Sequence, residues 1–297
     1  PPLSSIPIRH GTIMDNTIHG ETADAHLARF IEQVGQQFQA DAIESFWRLQ
    51  GAFRELLDSG AMRGLLNREL RTLLDNANHM GDWRPNQLML HRGRGHALSI
   101  WLFEQPRRYI HSLPFHGMYA PLGGHSLHYD LYRLPPGYRN AQFDPTLRLE
   151  PAGSGITAPG GILLLRSDEY LYDFKIEQPQ PVAKFTTAPY QTLEWLFERD
   201  GLRACQANDS ELISTQLRVS AYVLGRLGNP ASSEALRSLA GHDHHAVRWA
   251  ALQNLARIDP AAAAEGLHTA LNDPHPHVRR AAAGSLRRLE TTSTGAL

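Results

Sequence analysis

Hydrophobic residues recur at helical spacing near the start of the chain. A repeat of three and four positions places five of them on one helix face: Leu27, Phe30, Ile31, Val34 and Phe38. Asp41 followed by Glu44 is the capping-box pattern at the start of a second helix. The spacing of the apolar residues predicts that this helix ends near Gly60. A third apolar repeat covers residues 65–74. The pattern predicts an irregular segment over residues 1–20, then helices over residues 21–80 that pack on the following domain.

The pattern changes at Gln87, where short apolar stretches alternate with glycine and proline turns. Such runs are typical of strands in an all-β domain. We predict strands over residues 87–90, 97–103, 117–120, 126–134, 146–149, 161–166, 169–176 and 181–186, and a turn over residues 151–155. These strands predict a small β-barrel over residues 81–190. Residues 191–211 are predicted to form a connecting helix or linker.

The last part of the chain repeats itself with a period of 31 residues. Val247 and Arg248, for example, recur as Val278 and Arg279. A period near thirty is typical of stacked helical hairpins, in which each repeat buries its apolar face against its neighbour. The repeat therefore predicts a helical array over residues 212–297.

Composition narrows the classes of partner. The 297-residue chain has a formal net charge of −1, whereas a nucleic-acid-binding surface would be basic. No apolar run reaches the roughly 18 residues of a membrane span, and no signal peptide opens the chain, so we expect no membrane contact and a cytoplasmic location. The single cysteine, Cys205, excludes a disulfide within one chain and a cysteine-based zinc site.

Two segments resemble known families. Gly93-Arg94-Gly95-His96, Ile110-His111-Ser112-Leu113-Pro114-Phe115-His116, Gly123-Gly124 and Pro159-Gly160-Gly161 resemble motifs of the thiol-dioxygenase (cysteine dioxygenase-like) branch of the cupins. Asp243, Val247-Arg248, Ala251 and Leu255 resemble the signature of HEAT repeats of the phycobilisome-lyase-like kind. The expected fold class is α+β multidomain, with N-terminal helices, a cupin-type β-barrel and C-terminal α-helical HEAT-like repeats.

The cupin resemblance implies a non-heme iron site, and the sequence departs from it. A mononuclear site of this kind uses about three protein ligands on one face of the metal. His111 matches the first histidine of the motif, but Leu113 occupies the position of the second. The stretch after Gly161 in which the third histidine would fall, residues 166–173, contains none. The motif inherited from the family is therefore degenerate.

A rebuilt metal site is one interpretation of the many histidines, of which the chain has 16. His128, Asp130 and Tyr132 share one face of a predicted strand, because alternate side chains of a strand point the same way. If that face points inward, His111, His116 and His128 are the candidate metal ligands. The candidate catalytic residues are then Asp130, Tyr132 and Tyr170. The alternatives are an exchangeable or structural metal, and histidines that are satisfied by other contacts and bind no metal.

The functional hypothesis is a histidine-ligated, non-heme metal oxidase or oxygenase that acts on a small molecule in the barrel. The resemblance implies Fe(II) as the metal and leaves another divalent metal open. The HEAT-like repeats would dock a protein partner or stabilise the barrel. The alternative is a catalytically inactive cupin with HEAT repeats, which binds a ligand or serves as a protein-interaction scaffold, so the sequence leaves open whether the chain is an enzyme.

Overall fold

The computed structural model describes residues 17–18, 21–76 and 78–294. It divides into two compact units. Unit 1 comprises Pro1–Leu134 and Glu150–Ala188, and unit 2 comprises Pro135–Leu149 and Pro189–Leu297. Most of the segment predicted to be irregular, residues 1–20, lies outside the described residues. None of the helices in the described part of the chain combines the length and apolar character that crossing a membrane requires.

The helices of unit 1 follow the apolar repeats of the sequence. After the short strands β1 (Thr17–Ile18) and β2 (Glu21–Thr22) come α1 (Ala23–Gln37), α2 (Ile43–Arg48), α3 (Gln50–Asp58) and α4 (Ala61–Asp75). The hydroxyl of Thr22 caps α1 by accepting a hydrogen bond from the backbone N–H of Ala25. The predicted second helix is divided at Leu49 into α2 and α3. It begins after Ala42, without the side-chain cap that we predicted from Asp41.

Nine of the described strands of unit 1 form two antiparallel sheets. They are β3 (Trp83–Arg84), β4 (Gln87–Gly93), β5 (His96–Phe103), β7 (Gly117–Pro121), β8 (Leu127–Arg133), β9 (Glu150–Thr157), β10 (Leu163–Leu165), β11 (Tyr170–Lys175) and β12 (Gln180–Thr187). The short strand β6 (Ile110–His111) belongs to neither of these two sheets. One sheet has the order β10-β7-β12-β5-β4-β3 and the other the order β11-β8-β9. The chain passes back and forth between these two antiparallel sheets. This arrangement is the jelly-roll architecture of the cupins, as predicted.

The two faces of the larger sheet bury different sets of side chains. On β12, Ala183 and Phe185 belong to a core shared with α1–α4, where the ring of Phe185 lies 5.1 Å from that of Phe30. Val182 belongs to a second core inside the barrel, together with Tyr119 of β7. Because side chains alternate along a strand, Lys184 lies on the barrel side with Val182.

Two predictions for the barrel differ from the structure. Residues 151–155, predicted as a turn, belong to β9, and residues 146–149, predicted as a strand, do not form one. β9 is an edge strand of its sheet, where proline and glycine are tolerated. The register of β9 against β8 shifts between Leu131 and Tyr132, and Gly153 takes a positive φ of 116° beside this shift. Turn-forming residues therefore mark an irregular edge strand here.

Unit 2 contains a hairpin where we predicted a connecting helix or linker. Its strands are β13 (Leu193–Phe197) and β14 (Ala204–Asp209), which pair antiparallel. Leu193, Trp195 and Phe197 are buried at alternate positions, and the indole N–H of Trp195 donates to the carbonyl of Asn140 at 2.8 Å. Hydrophobic residues at every second position are typical of a strand, and this pattern was present in the sequence. The prediction of a helix or linker over residues 191–211 was therefore wrong for β13 and β14.

The described part of the C-terminal array, up to residue 294, contains five α-helices, which follow the repeat of the sequence. They are α5 (Leu212–Leu227), α6 (Ser233–Leu239), α7 (His245–Ile258), α8 (Pro260–Ala270) and α9 (Pro276–Thr294). Val247 and Val278 are fully buried, as the period predicts. A Cβ atom at Gly225 would lie 2.6 Å from Asn254, so this glycine lets α5 and α7 approach closely.

The arginines of the repeat signature bind the turns between helices. Arg248 donates from Nε and Nη2 to the two carboxylate oxygens of Asp273 at 2.7 and 2.6 Å, and both side chains are largely buried. Burial raises the pKa of Asp273, but the hydrogen bonds from Arg248 and from the backbone of His275, together with the charges of these two residues, outweigh it and hold the pKa below its usual value. Arg279 donates to the carbonyls of Asp273 and Pro274. The Val-Arg pair of each repeat is therefore explained by packing and by turn stabilisation.

We predict that Arg248→Ala lowers the free energy of unfolding by about 3–5 kcal/mol, because it leaves the buried carboxylate of Asp273 without its charge partner. Arg237→Ala is the matched control, since Arg237 binds Asp259 in an exposed pair, and it should cost about 0–1 kcal/mol. Urea unfolding followed by far-ultraviolet circular dichroism measures both. Equal losses in the two variants would contradict the structural role of Arg248.

A stack of imidazoles predicts acid sensitivity in unit 2. The rings of His245 and His275 lie 3.7 Å apart and nearly parallel, and the ring of His244 stacks on that of His245 at 5.0 Å. Burial, and after it the neighbouring His275, His244, Arg248 and His277, together lower the pKa of His245 to about 4. The neutral imidazole is therefore the form that the folded state favours.

We expect unit 2 to lose stability as the pH falls from about 6.5 towards 4, because the unfolded chain binds protons in that range and folded His245 does not. The His245 ring resonances in proton NMR, assigned with His245→Gln, should titrate near pH 4. Titration near pH 6.5 would show that the stack does not resist protonation.

Candidate functional site

A cavity of about 430 Å³ lies in the barrel of unit 1. Strands β5, β7, β11 and β12 and the segment after β5 supply its walls. Its aromatic lining consists of Trp101, Phe103, Tyr109, Tyr119, Tyr172 and Phe174. His111 and Lys184 also line it. A cavity of this size, lined by aromatic rings together with polar and charged groups, is a candidate small-molecule site.

Lys184 is a buried cation in this lining. Lys184 is only 5% exposed, because it lies on the inward face of β12. The ammonium nitrogen lies 3.6 Å from the ring centroid of Trp101, 4.7 Å from that of Tyr119 and 5.5 Å from that of Phe115. The negative faces of aromatic rings attract a cation and offset part of the free energy of its dehydration. The barrel is therefore built to hold a positive charge at this wall.

Trp101 contributes a hydrogen-bond donor beside Lys184. Its indole nitrogen is buried and has no hydrogen-bond partner among the described residues. A buried indole N–H usually has a partner. The guanidinium of Arg107 lies 6.0 Å from the same ring. The cations Lys184 and Arg107 therefore both lie near the ring of Trp101.

His111 is the predicted metal ligand that the structure places at the cavity. It lies at the end of the short strand β6, next to Ile110, which is buried. Leu113, which occupies the position of the second histidine in the family motif, lines the same cavity. Two residues of the family motif, His111 and Leu113, therefore line the cavity.

His116 lies elsewhere, against the helices. Its ring lies 5.6 Å from that of Trp47, a residue of the core shared with α1–α4. Its Nδ1 atom lies 3.8 Å from a carboxylate oxygen of Asp168. Burial lowers the pKa of His116, and the negative charge of Asp168 opposes that shift. This environment is that of a packed histidine with an acidic neighbour.

His128, Asp130 and Tyr132 share a face of β8, as predicted, but that face points away from the barrel interior. Leu127 and its alternate neighbours Tyr129 and Leu131 pack in the core inside the barrel. Alternation along the strand then directs the other set outward. The inward orientation on which the rebuilt site depended is therefore not observed, because the apolar set of β8 fills the interior.

Asp130 is paired on that outer face. Its carboxylate lies 2.7 Å from the ammonium of Lys175, and this hydrogen bond raises the pKa of Lys175. Tyr170, the third predicted catalytic residue, packs against the barrel core, and the guanidinium of Arg133 lies 5.9 Å from its ring. Neither Asp130 nor Tyr170 lines the cavity.

The predicted metal ligands do not fit a shared metal ion. Over residues 17–18, 21–76 and 78–294, no three His, Cys, Asp or Glu side chains lie close enough together to hold one. His111 lies at the cavity, His116 beside Trp47 and His128 on the outer face of β8. Because these three histidines lie in three different environments, they do not provide three ligands on one face of a metal ion.

Sequence reasoning identified neither Lys184 nor Trp101 as a site residue. The signal for Lys184 was a single charged residue inside the apolar stretch of 181–186, at an alternate position to Val182. A lysine there is costly unless its environment compensates the charge. Trp101 is indeed packed against the barrel core, and it also lines the cavity.

Comparison with known proteins identifies the repeats. Residues 214–287 match the family model of HEAT repeats. No curated protein matches the chain. The match to HEAT repeats covers the helical array of unit 2.

Solved structures overlap with parts of the chain. A hydroquinone 1,2-dioxygenase in complex with Cd²⁺ and 4-hydroxybenzonitrile shares 14% identity over 38% of this chain and 69% of its own, with a TM-score of 0.28. A hydroquinone 1,2-dioxygenase from Sphingomonas with bound 4-hydroxybenzoate shares 15% identity over 39% and 71%, with a TM-score of 0.29. An uncharacterized protein from Klebsiella pneumoniae with a double-stranded β-helix domain shares 12% identity over 38% and 84%, with a TM-score of 0.19.

Proposed function

We propose that the barrel of unit 1 binds a small organic molecule in its cavity. The observation that carries this proposal is the cavity of about 430 Å³, whose aromatic walls also include His111 and Lys184. Aromatic walls bind flat apolar groups by excluding water and by ring stacking, which adds about 0.5–1.5 kcal/mol per ring pair. The polar groups orient the molecule.

The cavity proposal predicts a local response to a neutral aromatic probe. Adding benzamide should shift the ring resonances of His111 in proton NMR, because His111 lines the cavity. The resonances of His128, on the outer face of β8, serve as the internal control and should not move. His111→Gln and His128→Gln assign the two signals.

Benzamide that shifts neither histidine, or that shifts both equally, would contradict binding in the cavity. Saturation with rising benzamide concentration distinguishes a site from a general solvent effect.

As a second candidate function, we propose that the protein is a metal-dependent oxidase or oxygenase that oxidises a small molecule bound in the cavity. The cupin resemblance of the sequence implies this activity. The observation that favours it is that His111, the histidine matching the first ligand of the family motif, lines the cavity. Bound Fe(II) or another divalent metal would supply dioxygen activation. Among the described residues, His111 does not belong to a group of three His, Cys, Asp or Glu side chains that could hold a metal ion, so the binding function is the better supported of the two.

Elemental analysis of untagged protein separates these candidates. The oxygenase candidate predicts near-stoichiometric iron or another divalent metal that is lost in His111→Ala and retained in the matched variant His128→Ala. Absence of bound metal after anaerobic addition of ferrous iron would remove the oxygenase candidate and leave the binding function.

We further propose that the array of unit 2 docks a protein partner. Its match to HEAT repeats supports this proposal, because such arrays present extended surfaces for binding. On α5, Val219, Tyr222 and Val223 are exposed. The arginines of the signature are less suited to this task, since Arg248 and Arg279 already bind Asp273 and its turn.

A further inference from the structure

We propose that His91 and His96 form a binding site for a late divalent transition metal such as Zn²⁺, on the helix-facing side of the hairpin of β4 and β5. Neither histidine lines the barrel cavity, so the site is independent of the functions proposed above. The pair provides two nitrogen ligands, and water fills the remaining coordination positions. Among the described residues, no third His, Cys, Asp or Glu side chain joins them.

The register of the hairpin brings the two histidines to one face of the sheet. His96 pairs with Gly93 across the strands, and His91 pairs with Leu98. Because side chains alternate along a strand, His91 and Gly93 share a face of β4, and His96 shares a face of β5 with Leu98. Leu98 is buried in the core that β5 shares with α1–α4. Both imidazoles therefore lie on that side of the sheet.

The two imidazoles converge on the space above Gly93. A Cβ atom at this glycine would lie 2.2 Å from Nε2 of His96 and 3.1 Å from Nε2 of His91. The centroids of the two rings are 5.4 Å apart. Both nitrogens thus lie close to one point, where residue 93 has no side chain. Because Zn–N bonds are about 2.0–2.1 Å long, small ring movements would bring both nitrogens within bonding distance of one ion.

The surroundings hold the two rings in their neutral form. The ring of His96 makes edge contacts with Phe38 at 5.1 Å and Phe185 at 6.1 Å. Burial lowers the pKa of His91 and of His96. The nearby His91 lowers the pKa of His96 further, and a hydrogen bond with the backbone of Arg94 opposes this shift. Each ring therefore has a nitrogen lone pair at neutral pH, and the neutral imidazole is the form that binds metals.

The charges around the pair favour a metal that bonds to nitrogen. A cavity of about 470 Å³ beside His91 is lined by one acid, Asp82, and by two cations, Arg84 and Arg92. These charges do not attract a cation by electrostatics alone, so binding depends on the bonds to the imidazoles. Imidazole nitrogen suits Zn²⁺ and Cu²⁺, whereas Mg²⁺ and Ca²⁺ prefer oxygen ligands. Both histidines are partly exposed, so water can complete the coordination.

The test is a Zn²⁺ titration of the full chain, followed by the ring resonances of His91 and His96 in proton NMR. His91→Gln and His96→Gln assign the two signals. In wild-type protein both signals should shift and saturate at the same Zn²⁺ concentration, because one ion binds both rings. Each substitution should weaken the binding at the remaining ring by about tenfold or more, since even changes beyond the ligands cost about 10–100-fold. Mg²⁺ should shift neither signal.

Gly93→Ala tests the geometry without removing a ligand. Its methyl group would displace the ring of His96 from the shared point, so the Zn²⁺ affinity should fall by about tenfold or more. Gly124→Ala is the matched control, because a Cβ atom there would meet no other atom within 4 Å, and it should leave the affinity unchanged. His111→Ala should also leave it unchanged, which separates this site from a metal in the barrel cavity.

The outcomes decide the proposal. Zn²⁺ that shifts only one of the two rings, or neither, would overturn it, and so would wild-type affinity in folded Gly93→Ala. The two glutamine variants change partly exposed residues, and they test the pair even if Gly93→Ala does not fold. Undiminished binding at the remaining ring in either glutamine variant would likewise show that the two histidines do not share one ion.

Discussion

The alternation of side chains along β12 is the constraint on which the organisation of unit 1 depends. Phe185 and Ala183 face the N-terminal helices, while Val182 and Lys184 face the barrel interior. One strand thus joins a helix-covered core to a cavity wall. The burial of Phe185 against Phe30 fixes the strand, and the lysine between apolar neighbours is directed inward as a consequence. Aromatic rings then surround its ammonium group, which makes the cavity a specific electrostatic environment.

The same alternation explains what the sequence could and could not predict about the site. Spacing shows that His128, Asp130 and Tyr132 share a face of β8. It does not show which face is inside, and that is decided by the packing of Leu127 with the rest of the barrel core. His116 illustrates a second limit, because its neighbours Trp47 and Asp168 are distant in sequence. The strands and the repeats were predictable from local periodicity, whereas the convergence of side chains depends on tertiary packing.

Unit 2 shows how a short repeat signature encodes both packing and turns. Val247 and Val278 fill the interior of the array, and the arginine that follows each one binds the turn around Asp273. The period was sufficient to predict these helices. The hairpin of β13 and β14 was missed because residues 191–211 lack such a repeat, although the buried residues Leu193, Trp195 and Phe197 lie at alternate positions.

The account centres on a cavity of the barrel whose aromatic walls bind a small organic molecule. A crystal structure of the protein with bound benzamide tests this claim most directly. The account predicts benzamide in the barrel, with its ring among the rings of Phe103, Tyr119 and Phe174. A structure in which the side chain of Lys184 points away from the barrel interior, or in which benzamide lies outside the cavity, would contradict it.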